Sequence, residues 1–297
     1  MAKNLTTVYL LKEFAGIATN EDDRLLERLI DQVSEAIARY CGRTFEATTY
    51  REWYNGTGGS SLTLPQWPIT NLYGVSLSTF KAAGISFTGG SWATCSLRSG
   101  VLYLDSIDTT GVETHTTITL SDYPTIGLLK TEVETNTGWS VTPESGKTTE
   151  PSQIIRPFDG EWALDAADVD FSIPDKTYYA RLSAESNQTI ERGARSTFPV
   201  GTANVFTWYK AGYTLPVDKA NHADLETAGN VPDDLMLIAV EISKLVYESS
   251  TEEIGSMESE KTQTYSYKIR PGAAAMIQAA LKDHEFVLTR HRSMKMI

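Results

Sequence analysis

The sequence predicts an α+β fold, and three observations lead there. Apolar residues recur at helical spacing near both ends of the chain, alternate at period two through the middle, and are interrupted there by Gly- and Asn-rich turns. The first element is a short helix over 7–15, stopped by Gly16. The second is amphipathic: Leu25, Leu26, Leu29, Ile30, Val33, Ile37, Tyr40 and Cys41 stand three and four residues apart. Asn20 can cap it, Glu21, Asp22 and Asp23 suit the positive end of its dipole, and Gly42 suits a left-handed stop. From Thr48 the period becomes two, in runs such as TYREWY, SLTLP, YGVSLS and GVLYLDS. This texture continues to about residue 202, although GWSVTPESGKTTEPSQ reads as loop and DGEWALDAADVDF is ambiguous. A third helix spans 232–248, with Pro232 in its first turn and Asp233 and Asp234 at its dipole. A polar stretch, an alternating run TYSYKI, a helix over 272–284 and a tail complete the chain.

A chain of 297 residues has room for one large domain or two ordinary ones. Its 26 basic and 38 acidic residues give a net charge of −12, which argues against a general nucleic-acid or anionic-membrane binder, since either needs a positive surface. Cys41 and Cys95 form neither a metal spacing nor a disulfide framework, and Cys41 lies on the apolar stripe, so a reduced, intracellular setting is expected. No stretch has the length of a signal sequence's apolar run or of a membrane span, so no membrane partner is expected.

Enzyme signals are missing. His115, His222, His284 and His291 have no neighbour at a ligand spacing, and solvated histidines are expected. Gly146-Lys147-Thr148 hints at a phosphate loop, but Val141 stands where that loop needs glycine. Asp165, Asp168 and Asp170 lack the glycine turn and distal glutamate of a calcium loop. Gly56 to Ser60 reads as a hairpin turn, and no Gly-x-Ser-x-Gly elbow occurs. The expectation is a protein without catalytic residues, metal or cofactor.

Three stretches in order carry a family resemblance. Residues 22–45 follow D-x-x-L-x-x-L-I-x-x-A-x-x-x-I-x-x-Y-x-G-R-x-F, LTLPQWPITNLYGVSL follows at 62–77, and VFTWYKAGY at 205–213 precedes the helix VPDDLMLIAVEISKLVYE. Taken together they resemble the head-to-tail connector (adaptor, head completion) family of tailed bacteriophages. The resemblance implies a small helical bundle core with antiparallel strands, made of 1–105 with 204–297, and it leaves 106–203 as a β-rich insertion. It also implies a structural virion protein at the neck, made in the host cytoplasm. Such proteins form a ring, typically dodecameric, beneath the portal. They seal the joint and dock a downstream neck or tail protein, while DNA passes through without sequence-specific binding.

Two surfaces follow. Each long helix carries a second apolar face, and Leu25, Leu29, Tyr40, Met236, Val240 and Tyr247 are read as contacts with neighbouring copies, the alternative being cover from within the chain. The tail FVLTRHRSMKMI is basic on an acidic chain, and its alternation makes Phe286, Leu288, Arg290, Arg292, Met294 and Met296 a strand-like portal-binding arm, the alternative being a frayed end. The negative charge fits either an acidic channel wall that does not retain DNA or plain solubility. A competing function is a β-rich tail or neck module that contacts host glycans, given Trp139, Trp162 and Trp208.

Overall fold

The computed structural model describes residues 4–165, 168–175, 177, 180–193, 196–251 and 272–292. The helices among these residues are α1 (Val8–Ala15), α2 (Asp23–Cys41), α3 (Ile126–Val133), α4 (Asp233–Thr251), α5 (Ala273–Asp283) and α6 (Glu285–Leu288). The strands are β1 (Thr48–Gly56), β2 (Ser61–Thr63), β3 (Ile69–Ser76), β4 (Thr79–Phe87), β5 (Gly90–Arg98), β6 (Val101–Asp108), β7 (Glu113–Thr119), β8 (Trp139–Pro143), β9 (Phe158–Trp162), β10 (Val169–Pro174), β11 (Ala180–Leu182), β12 (Thr189–Arg192), β13 (Gly201–Ala211), β14 (Val217–Asp218) and β15 (Leu225–Thr227). The chain forms two compact units: a helical one of 1–48, 65–70 and 211–297, and a β unit of 49–64 and 71–210.

In the helical unit, Thr7 caps α1 through its hydroxyl, which accepts from the Leu10 amide, and Gly16 ends the helix at φ 69°. α2 ends on Gly42 at φ 65°, as its sequence predicts, but Asn20 does not cap it. Lys12 is buried between the two helices and needs acceptors, so it donates to Asn20 Oδ1 at 2.5 Å and Asp23 Oδ1 at 2.9 Å. The wide apolar stripe of α2 is explained by two partners in the same chain. Leu29, Val33 and Ile37 join Leu235, Ile238, Ile242, Leu281 and Leu288 in one cluster, while Leu26 and Ile30 pack with Val8, Leu11 and Val240 in another. Each such side chain contributes roughly 1.5–3 kcal/mol when fully buried.

The β unit is built on two sheets, ordered β10-β4-β8 and β7-β6-β5-β9, whose buried side chains form one core. Ile85, Phe171 and Val141 from the first meet Cys95, Leu104 and Ile118 from the second, with Leu129 and Val133 of α3. Two three-stranded sheets, β1-β13-β3 and β11-β12-β2, complete it. Gly56 to Ser60 therefore links strands of different sheets and is not a hairpin turn.

Two expectations are corrected. Among the described residues strand outweighs helix, and the β unit has its own core of strands and α3, so the helices hold one of two cores and not the core of the whole molecule. The boundary expected at 105/106 cuts β6, where Leu104 pairs with Cys95 and Ser106 with Ala93. Residues 106–203 thus share one core with β4 to β6 and are not a separable insertion.

Candidate assembly site

Parts of all three family-like stretches lie in the helical unit: 22–45, 65–70 and 211–213. Once Gly42 has turned the chain, Arg43 is only 5% exposed, and its guanidinium carbon lies 4.0 Å from the Trp67 ring centroid, 4.9 Å from Phe45 and 5.9 Å from Tyr213. The same guanidinium donates to the Trp67 carbonyl. A buried cation is costly unless π faces and acceptors replace its water, and this cage supplies both. The His291 ring stacks on Trp67 with 6.1 Å between centroids and 13° between planes.

The Ala211-Gly212-Tyr213 motif has an equally specific reason. Tyr213 donates its amide to the Phe45 carbonyl at 2.7 Å, and Ala47 donates to the Tyr213 carbonyl at 2.8 Å. Gly212 sits at φ 113°, and a Cβ there would meet the Glu46 carbonyl oxygen at 2.5 Å. Only glycine allows the two segments to cross so closely.

The expected subunit contacts are redistributed. Leu29 is 6% exposed and Val240 5%, both inside this chain's own clusters, because α1 and α5 cover the faces read as free; these two are corrections. Tyr40 and Met236 pack against the larger cluster, and Tyr247 donates its hydroxyl to Asp22 Oδ2 at 2.7 Å. Leu25 stays 38% exposed.

The expected arm is also corrected in its first part. Phe286 and Leu288 lie in α6 and Arg290 in the 3-10 turn Thr289–His291, so the alternation of an extended strand does not form. Leu288 is fully buried, and Cys41 Sγ donates to its carbonyl at 3.7 Å. Phe286, Arg290 and Arg292 remain exposed, while Met294 and Met296 lie outside the described residues, as does the run TYSYKI.

The histidines are less solvated than expected. His291 is 6% exposed, with Nε2 3.2 Å from Asp234, and His284 Nε2 lies 3.6 Å from Glu241. His222 bridges Asp218 at 2.9 Å and Glu27 at 3.1 Å. Asp218 in turn accepts the Val8 amide at 2.9 Å and the Tyr9 amide at 3.2 Å, which anchors the start of α1. Only His115 is strongly exposed, and its hydrogen bond to Asp105 raises its pKa.

The three tryptophans named above differ in exposure. Trp139 is 5% exposed, and Trp208 already has Arg51 at 4.8 Å and Tyr73 at 5.0 Å against its ring; Trp162 alone stands exposed without such cover. Among the described residues no three His, Cys, Asp or Glu side chains are placed to hold a metal ion, and no helix is long and apolar enough to cross a membrane.

Both cysteines are free and buried, and burial pushes the Cys41 thiol up to about 11 and Cys95 to about 12. Thiolate is the reactive form. Neither residue is therefore expected to take up iodoacetamide at pH 8 in the folded protein, and both are expected to do so in denaturant, as mass spectrometry can read. The unfolded chain ionises these thiols near 9.0 and the folded chain only near 11 to 12, so the unfolded state binds fewer protons in between. Stability accordingly falls as pH rises through that window. Tyr54 and Tyr209, raised chiefly by burial, act in the same direction at higher pH.

Residues 4–121 match the family described as HCP, head completion protein. The resemblance read in the sequence is thus shown for the part of the chain that holds α1, α2, the Gly42 to Phe45 motif and β1 to β7; the third motif lies outside it. No curated relative matches. Among solved structures, the neck of an empty GTA particle computed with C6 symmetry aligns over 99% of this chain and 92% of that one, at 13% identity and a TM-score of 0.33. At that score the likeness carries no weight.

Proposed function

We propose that this chain is a structural virion protein, a head completion adaptor that sits beneath the portal of a tailed-phage-like particle. In this reading identical copies form a ring, dodecameric as in the family it resembles, which seals the joint and offers its far surface to the next neck or tail protein. The observation that carries the reading is the family match over residues 4–121. Two physical features support it. The Arg43 cage and the Gly212 crossing make a rigid helical unit from the motif residues, which suits a protein whose work is to hold shape. A net charge of −12 suits a channel wall that must not retain the phosphate backbone as DNA leaves. The portal contact falls to the basic C-terminal end from Arg292 onward, with Met294 and Met296, since Leu288 serves the core.

Co-sedimentation of the full chain with purified portal tests the reading. The adaptor should pellet with portal at near-physiological salt, while remaining alone a monomer or a weak, polydisperse oligomer. Recovery of all the protein in the supernatant at a large excess of portal would contradict it.

A further inference from the structure

α1 and α4 leave a surface groove in the helical unit, with a volume of about 360 Å³. Leu10, Phe14, Met236 and Leu237 line it, and Glu13 and Asp233 add two carboxylates. Phe14 is 47% exposed and Leu237 45%, so the groove presents apolar surface to water. A different flank of α4 holds the C-terminal segment, where Asp234 meets His291 and Glu241 meets His284. On that segment α6 displays Phe286, 76% exposed, with the Arg290 guanidinium 4.9 Å over its ring.

We propose that Phe286 of one copy enters the α1–α4 groove of the next copy, with its Arg290 meeting Glu13 and Asp233. Size, polarity and charge converge on this pairing. An aromatic ring buries 150–250 Å² or so when it is enclosed, which is the scale of surface that an exposed Phe wastes in water. The groove's floor is aliphatic and aromatic, while its two acids call for a cation, and Arg290 rides on the ring that would fill it. On a chain with 38 acidic residues against 26 basic ones, copies repel unless such a cation is placed at their contact. Knob and groove are different patches of one surface, so the contact is head-to-tail and continues from copy to copy instead of stopping at a dimer, which is the kind of contact that a ring needs. Arg is among the residue types that most often dominate interface energetics, and both Phe and Arg are enriched at interfaces. Lys244, which lies 5.3 Å over the Phe14 ring, has its charge met by Glu248 at 3.6 Å, so it does not cancel the acids that face Arg290. The inference rests on the ring reading above and names the surface that would build the ring.

The test is sedimentation velocity of the full chain over a concentration series, alone and on purified portal, with Phe286→Ala, Glu13→Arg, Arg290→Glu and the double variant Glu13→Arg/Arg290→Glu. All three positions are exposed, and an unchanged melting temperature checks each fold. Each single change is expected to weaken self-association about tenfold or more, and the double charge reversal to recover most of it. Singles that associate as well as the parent chain, or a double variant no better than the singles, overturn the contact. So does a Phe286→Ala protein that loses only portal binding while its self-association is unchanged. Rings that form regardless of these variants leave the adaptor reading intact and remove only this contact. A parent chain that never self-associates, with or without portal, removes the ring reading and the contact with it.

Discussion

A chain truncated after Val287 is expected to lose much of the stability of its helical unit. Leu288 is fully buried among the side chains of α2, α4 and α5, and deleting a core leucine costs about 2–5 kcal/mol through lost burial and the cavity left behind. The same cut removes His291, which is 6% exposed, pairs with Asp234 and stacks on Trp67. Its loss adds about 1 kcal/mol for the hydrogen bond and leaves the Arg43 cage open on one side. A total near 4 kcal/mol is a large fraction of the roughly 5–15 kcal/mol that holds a typical domain together. The melting temperature followed by circular dichroism should fall by about 10 °C, at some 2–4 °C per kcal/mol for units of this size. An unchanged melt after Val287 would show that α6 and the turn after it are not part of the core. The first part of the tail read from sequence as an arm thus belongs to the core through Leu288 and His291.

Replacing Arg43 with alanine is expected to destabilise the same unit by about 3–4 kcal/mol. A desolvated cation–π contact is worth about 2 kcal/mol and a hydrogen bond from a charged donor about 1.5–3 kcal/mol, although the two overlap at one side chain. Arg43→Lys should recover only part of the loss, since an ammonium cannot stack its plane on Trp67 while donating sideways to the Trp67 carbonyl. Differential scanning calorimetry on the two variants gives the comparison, and a lysine variant as stable as the parent would mean that charge alone, without the planar stack, does the work.

How much of this was legible depended on the kind of signal. α1, α2, α4 and α5 fall within a few residues of where their spacing puts them, because stops such as Gly16 and Gly42 and the acidic turn before Met236 act locally. α3 lies inside a Thr-rich stretch that reads as strand. Its signals, the Thr125 hydroxyl accepting from the Leu128 amide and three buried residues at Ile126, Leu129 and Val133, span only eight residues. β8 lies in a stretch that reads as loop, since Trp139 and Val141 alternate for too short a run to stand out. Periodicity showed that α2 and α4 carry two apolar faces but could not name the partners. α1 packs against Val240, and α4 and α5 pack against Leu29, so both belong to core where the sequence leaves them open as contacts. The Arg43 cage was invisible for a related reason: Gly-Arg-x-Phe is a local pattern, whereas Trp67, Tyr213 and His291 reach it from three distant segments. The candidate groove needed the same kind of information, since Phe14 and Leu237 meet only when α1 lies along α4.

The adaptor reading is tested most directly by negative-stain electron microscopy of the full chain mixed with purified portal. The account predicts a ring of this protein stacked on one end of the portal, coaxial with its channel, and absent from portal alone. Bare portal rings with this protein dispersed around them, at concentrations well above those of a specific complex, would contradict it.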